Sequence, residues 1–262
     1  MRYFAPFLVL AALCLPAQGV AAKEEGKPAK ASVSMTFEKD PDAIVTELFT
    51  SQGCSSCPPA QEYLLQLSRR SDVITLEYHV DYWDNLSTWL GGKWKDPYSD
   101  TAWTERQADY NRRVMNSERN YTPQLVIDGR LQAVGSSKAT INTLIDEARA
   151  IRKRKFSVLP SVAPDGDMSV IVDGPGINTT AQVVLLRLLK NATTDVQGGE
   201  NKGAVMRGHN IVRSLLLIGT WEGGKERFAF KLPEFKSTEE GCAVLLQDSE
   251  TLKVLGAGLC SM

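Results

Sequence analysis

The chain has 262 residues, 43% of them hydrophobic and 23% charged, with 30 basic side chains against 31 acidic ones and a formal net charge of −1. That balance leaves no electrostatic footprint for nucleic acid or an anionic membrane surface. The length suits one large domain or two small ones.

The N-terminus carries Arg2, an apolar run from Phe4 to Leu15, then Pro16 and the small-residue stretch AQGVAA. This is the pattern of a secretory signal peptide, cut near Ala22 and carrying Cys14 away with it. The run is shorter than the roughly 20 apolar residues a membrane helix needs, and no later segment approaches that length, so no membrane span is expected. Residues 23–40 are rich in Lys, Glu, Ala and Ser and read as a disordered leader. Export to the periplasm or beyond leaves Cys54, Cys57, Cys242 and Cys260 in a compartment where disulfides persist, and an even count fits two pairs.

AIVTELFT (43–50) is short, β-branched and apolar on both alternations, which predicts a central strand covered on both faces. Two cysteines two residues apart follow, then Pro58 and Pro59, which suit the first turn of a helix because their missing N–H groups matter little there. Ala60, Tyr63, Leu64 and Leu67 continue with helical spacing, and VITLEYHV (73–80) predicts a second strand. Residues 81–99 are irregular and aromatic; helical spacing resumes at Trp103, Gln107, Tyr110 and Val114. TPQLVIDGRLQAVG (122–135) predicts a hairpin with its turn at Asp128-Gly129, and Ser137 opens a last helix with Ile141, Leu144, Ile145, Ala148 and Ile151 inward. The order β, α, β, helical insertion, β-hairpin, α matches an α/β thioredoxin-like core with a mixed sheet, expected over residues 41–155. Beyond it, strand-like runs within SVIVDG, TAQVVLLRLLKN, NIVRSLLLIGTW, RFAFKLP, CAVLLQD and LKVLGAGLC predict a β-rich, sandwich-like domain over residues 156–262.

A cysteine at a helix N-terminus faces unpaired N–H groups and the positive end of the dipole, which together lower a thiol pKa from about 8.5 toward roughly 3.5–7.5. Cys54 is therefore the expected nucleophile. Cys57, one turn on, is placed to resolve a mixed disulfide formed there. Pro123 after Thr122 is read either as an ordinary trans proline or as a cis one that sets the Thr122 backbone beside Cys54 to orient an extended substrate. Glu47, a carboxylate in a buried strand, is read either as the proton carrier for Cys57 or as a strand-end acid paired with a surface cation.

The segments ELFTSQGCSSCPPA, HVDYWD, KDPYSD, RQADYN and YTPQLVIDGR resemble the domain-of-unknown-function 1223 family, secreted bacterial thioredoxin-like proteins without an assigned activity. The likeness spans about residues 43–150, and VRSLLLIGTW and VLLQD are similar to that family's β-rich tail. It implies a thioredoxin fold and export. Relative to ordinary thioredoxin, the active-site dipeptide is Ser-Ser, and Glu47 lies seven residues before Cys54, one further than usual.

Four of the five tryptophans, Trp83, Trp89, Trp94 and Trp103, cluster near the insertion. They serve either as its small core or, Trp83 foremost, as a groove for apolar parts of a protein substrate. Cys242 and Cys260 read as a structural disulfide closing a terminal hairpin, worth about 3 kcal/mol in the chain-entropy model, with a second redox pair as the alternative. The leading expectation is a thiol–disulfide oxidoreductase acting on protein thiols or disulfides of the cell envelope without a cofactor. The rivals are a copper or zinc carrier holding metal with Cys54, Cys57 and His79, and a non-catalytic assembly protein with a relic dithiol.

Overall fold

A computed structural model describes Met1 and residues 39–86, 91–152, 155–163, 166–231, 235 and 237–260. The expected signal peptide beyond Met1, Cys14 included, nearly all of the leader and Trp89 lie outside the described residues.

Strands β1 (Ile44–Thr50) and β2 (Val73–His79) run parallel and are buried along their whole length, as their two-sided apolar pattern requires. Between them, α1 (Pro58–Ser68) buries Ala60, Tyr63, Leu64 and Leu67, the stripe its spacing predicts. After the insertion comes α2 (Thr101–Arg113), capped by Asp100, whose side chain accepts from the Ala102 N–H at 2.9 Å. β3 (Gln124–Ile127) and β4 (Leu131–Val134) form the predicted hairpin, with Asp128 at φ 51° and Gly129 at φ 60° in its turn. Helix α3 (Lys138–Ile151) follows.

Strand alternation then sorts the side chains. Ile44, Leu48, Leu125 and Ile127 face one side, where α1 and α3 cover them. Val45, Phe49, Ile74, Leu76 and Tyr78 face the other, with Trp103 and Tyr110 of α2.

This second core also takes side chains from beyond residue 155. Long strands β7 (Ala181–Asp195) and β8 (Val205–Trp221) pair antiparallel, and β10 (Glu240–Asp248) and β11 (Val254–Leu259) extend them. Val184, Leu186, Leu188, Val212, Ala243 and Leu245 all join the cluster around Phe49 and Tyr78. The result is one eight-stranded mixed sheet in the order β11-β10-β7-β8-β2-β1-β3-β4. Its two parts meet where β8 lies parallel to β2, Ile211 opposite Glu77. Two bonds from neighbouring residues of β8, the second at φ 51°, secure that meeting: the His209 N–H donates to Glu77 Oε2 at 2.9 Å, and Asn210 Nδ2 donates to the Thr75 carbonyl at 3.1 Å.

The alternate residues of β7 and β10, including Val183, Leu185, Val244 and Leu246, face a three-stranded sheet of β5 (Ser157–Val162), β6 (Asp167–Asp173) and β9 (Glu226–Lys231). β5 has no counterpart among the strands read from sequence. Pro160 in its middle argues against a strand, yet β5 is the edge of its sheet, where a missing N–H is tolerated. The division expected near residue 155 falls between α3 and β5, while the main sheet and its core run across it. The architecture is thus a mixed α/β fold with a central mixed sheet and few helices. Among the described residues, no helix is long and apolar enough to cross a membrane.

Candidate functional site around Cys54 and Cys57

β1 ends at Thr50, and the chain turns through Ser51 to Ser56 before α1 begins. Two backbone bonds shape the turn: the Cys54 N–H donates to Ser51 O and the Cys57 N–H to Cys54 O, each at 3.2 Å. The Cys54 and Cys57 sulfurs are disulfide-bonded, with Cα atoms 5.5 Å apart. Both residues are fully buried (0% exposed), while Ser55 and Ser56 between them face solvent.

Cys57 is the N-cap of α1, and Pro58 and Pro59 occupy its first turn. Prolines carry no N–H, and the next two N–H groups, of Ala60 and Gln61, both donate to the Cys57 carbonyl. The helix end therefore offers no unpaired N–H to Cys54, contrary to the expectation that such groups acidify it. Ser56 Oγ lies 3.3 Å from Cys54 Sγ and donates to the Thr122 carbonyl at 3.5 Å.

Thr122 and Pro123 close one side. Their peptide bond is cis, and Pro123 immediately precedes β3. Trp83 lies on the same side: its indole N–H donates to Thr122 Oγ1 at 2.8 Å, and its Cβ packs against Gly53, where an added methyl would meet it at 3.3 Å. Trp83 is partly buried and packed on the core around Tyr78, so it serves the insertion's packing as well as the rim.

The turn joining β7 to β8 closes the other side. Asn201 Nδ2 donates to the Gln52 carbonyl at 3.0 Å and the Cys54 carbonyl at 2.8 Å, and the Ser55 N–H donates to Glu200 Oε2 at 2.9 Å. Gly199, at φ 71°, packs against Gly53 and Trp94, and its N–H donates to the Gly92 carbonyl at 3.3 Å. A side chain at Gly198 would collide with the Lys93 backbone, so only glycine lets the two segments approach this closely.

Beneath the turn is a buried polar chain. His79 Nδ1 is 2.7 Å from Asp96 Oδ2 and its Nε2 is 2.9 Å from Glu77 Oε1; Gln61 of α1 donates to the same Glu77 oxygen, and the Gln52 N–H donates to Asp96 Oδ2 at 2.8 Å. Burial alone would drive the imidazolium to lose its proton, but Asp96 and Glu77 outweigh it and raise the His79 pKa to about 10. With both nitrogens committed, His79 has no lone pair to offer a metal held by Cys54 and Cys57. No group of three or more His, Cys, Asp or Glu side chains among the described residues is placed to hold a metal ion.

Glu47 does not lie under α1. It shares the face of Val45 and Phe49, and Tyr110 and Arg106 of α2 donate to its two oxygens at 2.5 and 2.7 Å. Gln247 of β10 completes the group through the Tyr110 hydroxyl at 2.8 Å. The seven-residue spacing to Cys54 is the cause, since a one-residue change of register moves a strand side chain to the opposite face. Glu47 thus anchors α2, and neither the proton-carrying role nor pairing at the surface fits its place. The acid on the α1 face is Glu77. Cys242 and Cys260 are disulfide-bonded far along the sheet, at the start of β10 and just past β11, where the Cys260 N–H donates to the Cys242 carbonyl at 2.9 Å.

The family model described as "Protein of unknown function (DUF1223)" matches residues 45–247. The chain belongs to this family. A crystal structure of protein AGR_C_4864 from Agrobacterium tumefaciens is similar at 30% identity and a TM-score of 0.69, covering 84% of this chain and 95% of that one. A domain of the outer membrane lipoprotein Omp28 from Porphyromonas gingivalis is 10% identical with a TM-score of 0.26, over 42% of this chain and 87% of that one, too slight a likeness to carry an argument. No curated protein matches the chain.

The DUF1223 match spans both the cysteine turn and the β7–β8 turn. Sequence reading finds only the first of these. QGGENKG (197–203) signals a tight turn through its glycines, but nothing local tells that two strands of 15 and 17 residues carry it onto Cys54.

Proposed function

We propose that this DUF1223 protein is a thiol–disulfide oxidoreductase acting on protein thiols or disulfides of the cell envelope, built on a thioredoxin-like domain with a β-sandwich-like extension. The observation that carries the reading is the bonded Cys54–Cys57 pair at the junction of β1 and α1, flanked by Thr122-Pro123 at the start of β3. The strand order β2-β1-β3-β4, with β2 parallel to β1 and β3 antiparallel to both β1 and β4, supports the thioredoxin-like reading. The signal-like N-terminus and two disulfides favour an oxidising compartment.

In the reducing direction, the Cys54 thiolate attacks one sulfur of a substrate disulfide, forming a Cys54–substrate bond and releasing one substrate thiolate. The Cys57 thiolate then attacks Cys54 Sγ, re-forming the internal disulfide and releasing the second thiolate; two electrons have passed to the substrate. The oxidising direction is the reverse. Thr122 and Trp83 form the rim against which the substrate chain lies, and no organic cofactor is required. Because both sulfurs are buried in the disulfide form, exchange follows a displacement of the β7–β8 turn. Metal carriage by Cys54, Cys57 and His79 is the weaker reading, since Asp96 and Glu77 already hold the imidazole.

The Cys57→Ser variant tests the proposal. Without its resolving thiol, Cys54 is expected to retain envelope proteins as mixed disulfides that dithiothreitol releases, and Cys54→Ser is expected to retain none. Equal capture by both variants, or stoichiometric copper or zinc binding that abolishes thiol exchange, would count against it.

A further inference from the structure

We propose that Glu200 sets the redox poise of the Cys54–Cys57 pair toward the reducing side. This rests on the oxidoreductase reading above and answers what it leaves open, the direction in which electrons flow.

Glu200 is presented by the β7–β8 turn, outside the segment that carries the cysteines. Its Oε2 accepts the Ser55 N–H at 2.9 Å, and its own N–H donates to the Gly53 carbonyl at 3.4 Å. Asn201 beside it fixes the turn through the Gln52 and Cys54 carbonyls. The carboxylate is thereby anchored on the peptide bond that follows Cys54. Covalent geometry keeps Ser55 N within about 5 Å of Cys54 Sγ, so the negative charge lies within roughly 8 Å of the sulfur.

A fixed negative charge at that range disfavours a thiolate. Between surface and bulk dielectric values the effect is about one pKa unit. It acts where the usual acidifying donors are missing, because Pro58 and Pro59 lack N–H groups and those of Ala60 and Gln61 are bonded to Cys57 O. Other charges around the turn do not cancel it. Asp96, on the Gln52 N–H, is matched by the His79 imidazolium, which Glu77 also holds, and Lys93 and Lys202 are solvent-exposed. A thiolate that is harder to form makes the reduced state less stable, which gives the disulfide a more negative potential.

The test is Glu200→Gln, which is isosteric and retains an acceptor for Ser55. In the reduced protein, the pH midpoint for alkylation of Cys54, followed by mass spectrometry of its peptide, is expected to fall by about one unit relative to wild type. At pH 9, between a midpoint of about 8.5 without the charge and about 9.5 with it, the equilibrium with dithiothreitol is expected to shift about threefold toward the dithiol, or about 15 mV. Both differences are expected to shrink in ~1 M salt, where the Debye length is ~3 Å; a merely structural role for Glu200 would not respond in this way. Unchanged midpoint and potential in a variant that still cycles between dithiol and disulfide would overturn the assignment of Glu200. A wild-type protein that does not cycle at all would instead overturn the oxidoreductase reading.

Discussion

At the scale of single residues, His79 shows how a side chain singled out for one chemistry serves another. Its ring is fully buried between Asp96 and Glu77, and this pairing ties the insertion to β2 and, through Gln52, to the turn that carries Cys54. A folded pKa of about 10 lies above the unfolded value near 6.5, so the charged pair stabilises the fold fully below about pH 6.5. The contribution is lost as pH rises toward 10. The stability gap between wild type and His79→Gln, from thermal unfolding followed by circular dichroism, is expected to be widest near pH 6, on the order of a few kcal/mol, and to narrow steadily through pH 10. A gap that stays constant from about pH 6 to 10 would mean that Asp96 and Glu77 do not raise the His79 pKa. Glu47 carries a related lesson. The sequence marked it as a buried acid close to Cys54, and buried it is, but β1 turns it away from α1 toward Arg106 and Tyr110. Burial is legible from strand pattern alone; the partner depends on which face the register selects.

At the scale of elements, most of the first 110 described residues follow from local rules. The doubly apolar strands, the Pro-Pro helix start and the Asp-Gly hairpin turn stand where spacing puts them, and α3 buries Ile141, Ile145 and Ala148 of its predicted stripe, while Ile151 at its C-terminal end is exposed. The elements that escape the sequence are those defined by distant partners. β5 is a strand despite Pro160, because its place at a sheet edge spares it one hydrogen bond. The β7–β8 turn is recognisable as a turn, while its role as a cover over Cys54 depends on Asn201 and Glu200 meeting a loop almost 150 residues earlier. That cover has a measurable consequence. Asn201→Ala removes two bonds to the cysteine turn, each worth about 0.5–1.5 kcal/mol, and is expected to speed reduction of Cys54–Cys57 by dithiothreitol roughly tenfold. The global unfolding midpoint is expected to change little, since both bonds lie at the edge of the core. An unchanged reduction rate would show that the turn does not limit access to the sulfurs.

At the scale of the whole molecule, the two halves read from sequence are held as one by a shared core. Val184, Leu186, Val212 and Leu245 pack with Phe49, Tyr78 and Tyr110, and Gln247 of β10 completes the Glu47–Arg106–Tyr110 group. Composition and turn spacing predict where strands begin and end, but they contain no term for β8 joining β2, a junction that involves one register pair and two side-chain-assisted bonds. Through that junction the C-terminal strands deliver Glu200 and Asn201 to the cysteine turn, so the site draws on both halves of the sheet. The central claim is that Cys54 and Cys57 form a reversible redox couple within this frame. Its most direct measurement is a redox titration of the purified protein in dithiothreitol buffers, with differential alkylation of each cysteine read by mass spectrometry. A single reversible two-electron transition is expected, in which Cys54 and Cys57 change together while Cys242 and Cys260 stay bonded. Independent alkylation of Cys54 and Cys57, with no shared transition, would contradict it.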